Sequence, residues 1–182
     1  MVIREGEASD TLYILISGRL KAFTEDRRGR ELTYSLIEPG EIFGEMFLDG
    51  EPRSASVKAL VISECAVING NRVNTLIHQN PDFTQALIIK LISRVRHTTR
   101  KLRSVALDGV YERTVTLLNN AAIDDGNSRR IPRQLTQQEI ANQVGASREM
   151  VNHVLRDLIR GGFIVREPTR GMKIAMKLPE HW

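Results

Sequence analysis

The sequence predicts an α+β chain with a strand-rich N-terminal part, one long helix and a small helical C-terminal part closed by a hairpin. Three observations predict it. Short apolar or alternating runs separated by turn residues fill positions 1 to about 68. Apolar residues alternately three and four apart then run from Ile88 to Val105. Finally, LTQQEIANQVGASREMVNHVLRDLIRGGFI, residues 135–164, reads as two short capped helices joined by a tight turn.

The N-terminal runs are TLYILI, RLKAFT, ELTYSLI and SASVKALVI. Turn signals separate them at Gly6, Gly18, Asp26 to Gly29, Pro39-Gly40 and Asp49 to Pro52. Many short strands at this spacing predict a barrel or jelly roll. The chain opens strand-like at VIREGE, which predicts a further N-terminal piece.

From Asn71 the period lengthens. Ile88, Leu91, Val95, Thr98, Leu102 and Val105 form an a/d seam on a helix of some 25 residues, flanked by Arg94, Arg96, Arg100, Lys101 and Arg103. Two threonines near its middle suit a parallel homodimer seam better than a plain core. Asp108-Gly109 ends this helix, and a new one starts near Val110, which makes the junction a hinge. DDGNSRR, residues 124–130, reads as a polar loop.

In the tandem helices, Thr136 caps the first, Glu139 completes a capping box, and Gly145 supplies the turn. Ser147 caps the second, whose apolar stripe is Val151, Val154, Leu155, Leu158 and Ile159. Arg148, Glu149, Asn152, His153, Arg156 and Arg160 lie outside the stripe and can meet base edges or phosphates. A solvated surface hairpin shares the apolar pattern. The Gly-Ala-Ser turn, the Arg-Glu first turn, the Gly161-Gly162 stop and the alternating FIVREPTRGMKIAMK around Arg170-Gly171 favour a winged helix-turn-helix that binds DNA.

The formal net charge of +4 is unevenly spread. Up to Ser93 there are 10 lysines and arginines against 13 acids, and from Arg94 onward 16 against 9. The positive excess lies where phosphate contacts need it. At 41% hydrophobic and 26% charged the composition is that of an ordinary soluble chain, with no apolar run of membrane-spanning length and no signal peptide. A cytoplasmic protein without a membrane partner is expected. The single cysteine, Cys65, excludes an internal disulfide and a cysteine-built metal cluster within one chain.

FGEMFLDGEPRSASV, residues 43–57, is the second informative segment. Glycine lets backbone amides approach an anion, Arg53 and Ser54 offer a guanidinium fork and a hydroxyl, and Glu45 can accept from a sugar hydroxyl. FGE followed by PRSASV resembles the phosphate-binding cassette of cyclic-nucleotide-binding β-rolls. GEASDTLYILISG is similar to that domain's opening hairpin, and PGEIFGE to its approach to the cassette. With the long helix and winged helix-turn-helix behind it, nearly the whole chain resembles the catabolite activator branch of the CRP/FNR regulators, the cyclic-AMP receptors.

The resemblance implies a β-roll over 1–80, a dimerisation helix over 81–107 and a winged helix-turn-helix over 108–182. It implies a cyclic nucleotide effector, cyclic AMP first, with no metal. Gly44 would give close backbone contact, Glu45 would take the ribose hydroxyl, and Arg53 and Ser54 would hold the cyclic phosphate. Thr98 and Thr99 stand where responsive members place hydroxyls that meet the adenine, one from each subunit. Arg148 and Glu149 match the pair that reads the G·C-rich part of a TGTGA-type half-site, and Gln137 would touch phosphate. Ser147, Asn152 and His153 complete the DNA-facing set. Double-stranded DNA, a second copy of the chain and RNA polymerase are the implied partners.

The chain departs from the family pattern in three places. The cassette is at least one residue shorter, Phe47 replaces a small residue, and His153 replaces an arginine. A cupin-like enzyme would need clustered histidines in the strands, whereas His78, His97, His153 and His181 all lie outside them, so no catalytic site is expected. A purely regulatory cyclic-nucleotide module would not carry the helix-turn-helix. An iron–sulfur sensor needs more than one cysteine. Haem, redox and other nucleotide signals stay open.

Overall fold

The computed structural model describes residues 1–124, 129–131, 135–167 and 171–179. Chain contacts divide it into two compact units, Met1–Thr98 and Thr99–Trp182.

The first unit contains six strands, β1 (Thr11–Ser17), β2 (Leu20–Glu25), β3 (Glu31–Ile37), β4 (Ile42–Phe43), β5 (Ser56–Ala59) and β6 (Glu64–Asn69). They form two antiparallel three-stranded sheets, ordered β4-β1-β6 and β3-β2-β5. Ile3, Leu15, Leu20, Ile37, Phe43 and Val57 make the buried core. Three details differ from the sequence reading. SASVKALVI is not one strand, because β5 stops at Ala59 and the chain turns through Leu60 to Ser63 before β6. The β1–β2 turn lies on that segment so closely that a Cβ on Gly18 would sit 2.2 Å from Ser63 Oγ. VIREGE forms only an isolated bridge, Ile3 with Val57. The two-residue β4 has no periodic signal of its own; it forms by pairing Phe43 with Tyr13.

Helix α1 (Gly70–Gln79) begins where Asn69 Oδ1 accepts from the Arg72 amide at 2.9 Å. Helix α2 (Pro81–Leu107) opens with proline in its first turn and with Asn80 Oδ1 accepting from the Phe83 amide at 3.0 Å. Leu87 is the only residue of this 27-residue helix that is fully buried. The seam residues Ile88, Val95, Leu102 and Val105 are all exposed, Val95 and Leu102 by about two thirds.

In the second unit, α3 (Val110–Ala121), α4 (Gln137–Val144) and α5 (Arg148–Arg160) pack around Val115, Leu118, Ile140, Val144, Val151, Leu155 and Leu158. Strands β7 (Ile123–Asp124), β8 (Arg129–Ile131), β9 (Ile164–Arg166) and β10 (Met172–Ile174) form one sheet in the order β7-β8-β10-β9. The segment expected as a polar loop, 124–130, therefore has strand at both ends. Non-local pairing is the reason, since β8 is stitched to β10 through Arg130–Lys173 and Ile131–Met172. Residues 125–128, Arg170 of the expected wing turn and His181 lie outside the described residues.

Candidate ligand cassette and nucleic-acid interface

Between β4 and β5 the chain forms a short 3-10 turn, Glu45–Asp49, entered through Gly44 at φ 81°. Only glycine fits there. A Cβ on Gly44 would lie 3.0 Å from Arg53 Nη1 and 3.1 Å from the Thr11 carbonyl, in a backbone region other residues rarely adopt. The Gly44 carbonyl accepts a hydrogen bond from Arg53 Nη1. Arg53 Nη2 donates to Ser9 Oγ at 2.8 Å, to the Thr11 carbonyl at 2.7 Å and to Thr11 Oγ1 at 3.0 Å. The Phe47 ring covers the guanidinium at 5.9 Å.

Glu45 is 2% exposed, and its Oε1 pairs with Arg94 of α2, which also donates to the Ile42 carbonyl at 3.1 Å. One turn earlier, Lys90 pairs with Glu41. Burial alone would raise the Glu41 carboxyl, but the Lys90 hydrogen bond, the Glu38 amide and the charges of Lys90 and Arg94 together outweigh it and hold the group below its ordinary value.

Gly44, Glu45 and Arg53 thus meet in one cluster, while Ser54, next to Arg53 in the chain, is exposed. Thr98 and Thr99 are exposed on α2, Thr98 one turn beyond Arg94. Sequence reading missed Ser9, Thr11 and Arg94. Ser9 lies just before β1 and Thr11 opens it, neither within a distinguishing pattern, and Arg94 lies 49 residues from its partner.

Two buried side-chain atoms of this cluster have no hydrogen-bond partner among the described residues, Glu45 Oε2 and Arg53 Nε. One is an acceptor and the other a donor. A ligand carrying both a hydroxyl and an anionic oxygen supplies the missing groups, so the residues present fit a nucleotide. Among the described residues, no cluster of three or more His, Cys, Asp or Glu could hold a metal.

The second site lies on α4 and α5. Thr136 Oγ1 and Ser147 Oγ each accept from the amide three residues on, both at 3.2 Å, and Gly145 turns the chain at φ 67°. With Val151, Val154, Leu155 and Leu158 buried, Arg148, Glu149, Asn152, His153, Arg156 and Arg160 are exposed. The Glu149 carboxyl is held below the usual range by its own amide and then by the Ser147 hydroxyl, so it stays an acceptor. Gln137 Nε2 donates to Asn152 Oδ1 at 3.1 Å across the two helices. His153 is flanked by Arg156, with Nη2 2.9 Å from Nδ1, and by Asp157 at 3.4 Å from Nε2. The dispositions of Gln137 and His153 had no local sequence signal.

Comparison with known proteins places both parts of the chain in known families. Residues 1–80 match the cyclic nucleotide-binding domain, and residues 112–177 the Crp-like helix-turn-helix domain. A cyclic nucleotide-binding domain followed by this helix-turn-helix defines a ligand-responsive, DNA-binding regulator of transcription. The cAMP-activated global transcriptional regulator CRP of Pasteurella multocida is 35% identical over 162 residues, covering 86% of this chain and 78% of that protein. The CRP-like cAMP-activated global transcriptional regulator of Mycobacterium tuberculosis is 33% identical over 168 residues, covering 90% and 75%. The c-di-GMP responsive global regulator CLP of Xanthomonas campestris superposes with a TM-score of 0.83 at 29% identity, covering 95% of this chain and 88% of that one. The chain belongs to the CRP family of transcription regulators.

Proposed function

We propose that a cyclic nucleotide, cyclic AMP first, switches this regulator, and that it acts as a homodimer on a palindromic site. The observation that carries the proposal is the buried, unpartnered pair Glu45 Oε2 and Arg53 Nε. Glu45 Oε2 accepts from the ribose hydroxyl, and Arg53 with Ser54 holds the cyclic phosphate. Phosphate oxygens replace the Ser9 and Thr11 hydroxyls around the guanidinium, while the Gly44 backbone lies close to the ligand. Thr98 and Thr99 extend the contact from the α2 seam, where the exposed apolar residues Ile88, Val95, Leu102 and Val105 meet a second copy. The segment 81–107 is the dimerisation helix between a ligand domain over 1–80 and a DNA-binding domain over 108–182.

Ligand binding biases the junction at Asp108-Gly109 so that the two α5 helices match successive major grooves about 34 Å apart. There Arg148, Glu149, Asn152 and His153 face the base edges, and Gln137 and Ser147 approach the backbone. The protein is a cytoplasmic regulator and no enzyme, and RNA polymerase is its further partner. No described helix is long and apolar enough to cross a membrane.

A second reading keeps the DNA function and changes the signal. Phe47 lies over the Arg53 guanidinium, in the space a cyclic phosphate would approach. One titration separates the readings: a labelled TGTGA-type palindrome at fixed salt, with no ligand, with cyclic AMP, and with c-di-GMP, the ligand named for the Xanthomonas relative. A large gain with cyclic AMP supports the first reading. A gain with c-di-GMP alone, or equal binding in all three, replaces it with the second.

A further inference from the structure

We infer that Gln137 is a positioning residue that turns Asn152 from an adenine reader into a guanine reader. The inference deepens the DNA-reading assignment of α5 and rests on it.

An unconstrained asparagine meets adenine with both ends of its amide, the oxygen accepting from N6 and the nitrogen donating to N7. Here the two ends are not equally available. Asn152 Oδ1 already accepts from Gln137 Nε2 at 3.1 Å, from a residue 15 positions earlier on the neighbouring helix. The two helices hold that spacing because their facing sides are core: Ile140, Ala141, Val151 and Leu155 are each at most 2% exposed. Gln137 opens α4 directly after the Thr136 cap, whose hydroxyl accepts from the Glu139 amide, and Asn152 lies in the second turn of α5.

With one lone pair of its oxygen taken by Gln137, Asn152 presents two N–H donors against a single remaining acceptor site. Guanine offers two major-groove acceptors, N7 and O6, and no donor on that edge. Adenine needs an acceptor for its amino group, and supplying a well-aimed one requires the Asn152 amide to leave its Gln137 bond or both amides to turn together. The exposed guanidinium of Arg148, one turn earlier on the same face, also favours an acceptor-rich edge beside Asn152.

The test measures base preference at every position of a half-site, using a duplex library at low ionic strength with saturating cyclic AMP. It compares wild type with Gln137→Ala, Asn152→Ala, Asn152→Asp and Arg148→Ala. Asn152→Ala should flatten the preference at one base pair. Gln137→Ala should shift that same position from guanine toward adenine by about fivefold, the lower end of one good base contact. Asn152→Asp, with acceptors only, should move it to cytosine.

A Gln137→Ala profile identical to wild type overturns the inference. So does a uniform loss on all sequences with a shallower salt dependence, which would make Gln137 a phosphate contact alone. Arg148→Ala distinguishes the two levels. If it and both Asn152 variants leave every preference intact, the DNA-reading assignment of α5 fails. If they relax preferences and Gln137→Ala does not, only the positioning role fails.

Discussion

Arg94 of the long helix pairs with the buried carboxylate of Glu45, 49 residues earlier in the chain, and through it the helix is tied to the ligand cassette. The pair is asymmetric, because the Arg94 side chain is 34% exposed while that of Glu45 is 2% exposed. Arg94 can therefore be lost to solvent, whereas Glu45 cannot. Arg94→Ala should lower stability by about 1–3 kcal/mol, the cost of leaving a buried polar group without its partner. Adding Glu45→Gln should recover part of that loss. Urea unfolding of the two single variants and the double variant measures the coupling, and strictly additive effects would show that the pair carries no coupling energy.

Arg53→Ala is expected to act at two levels. It removes the guanidinium that joins Ser9, Thr11 and Gly44, so the cassette should lose order. It should also abolish the response to ligand while leaving weak, salt-sensitive DNA binding. Fluorescence anisotropy with and without cyclic AMP checks this. Full activation of the variant by ligand would remove Arg53 from the site.

Glu31 bridges two lysines that would otherwise repel. Lys21 and Lys58 are direct register partners on β2 and β5, and Glu31 binds the first at 2.7 Å and pairs with the second. Burial alone would raise the Glu31 carboxyl, but hydrogen bonds from Lys21 and Lys58 outweigh it and hold the group below its ordinary value. A depressed folded-state value means that the contribution is complete above the ordinary carboxylate range and is lost as pH falls through the lowered value. Glu31→Gln should therefore destabilise at neutral pH, with the gap to wild type narrowing on acidification. Thermal unfolding across an acidic series reads it, and a gap that widens in acid would contradict the assignment.

Leu102 lies on the α2 seam and is 67% exposed in the single chain. Leu102→Glu should convert the proposed α2 dimer to monomer in sedimentation and cost more than tenfold in affinity for a palindrome, since one recognition helix replaces two. A dimer of unchanged stability would move the interface off this seam.

Much of this protein was legible in its sequence, and local physics is the reason. The periods of β1 to β3, the seam of α2, the caps Thr136 and Ser147 and the Gly145 turn all depend on residues within a few positions of each other. The cassette segment was legible for a different reason, because its glycine, carboxylate and guanidinium lie within ten residues. Tertiary structure decided the rest. It placed Ser9 and Thr11 on Arg53, brought Arg94 to Glu45, closed Gln137 onto Asn152, and made strands of the ends of 124–130. Each of these is a contact between distant positions. Its partners are selected by how sheets and helices pack, and no spacing along the chain records that choice.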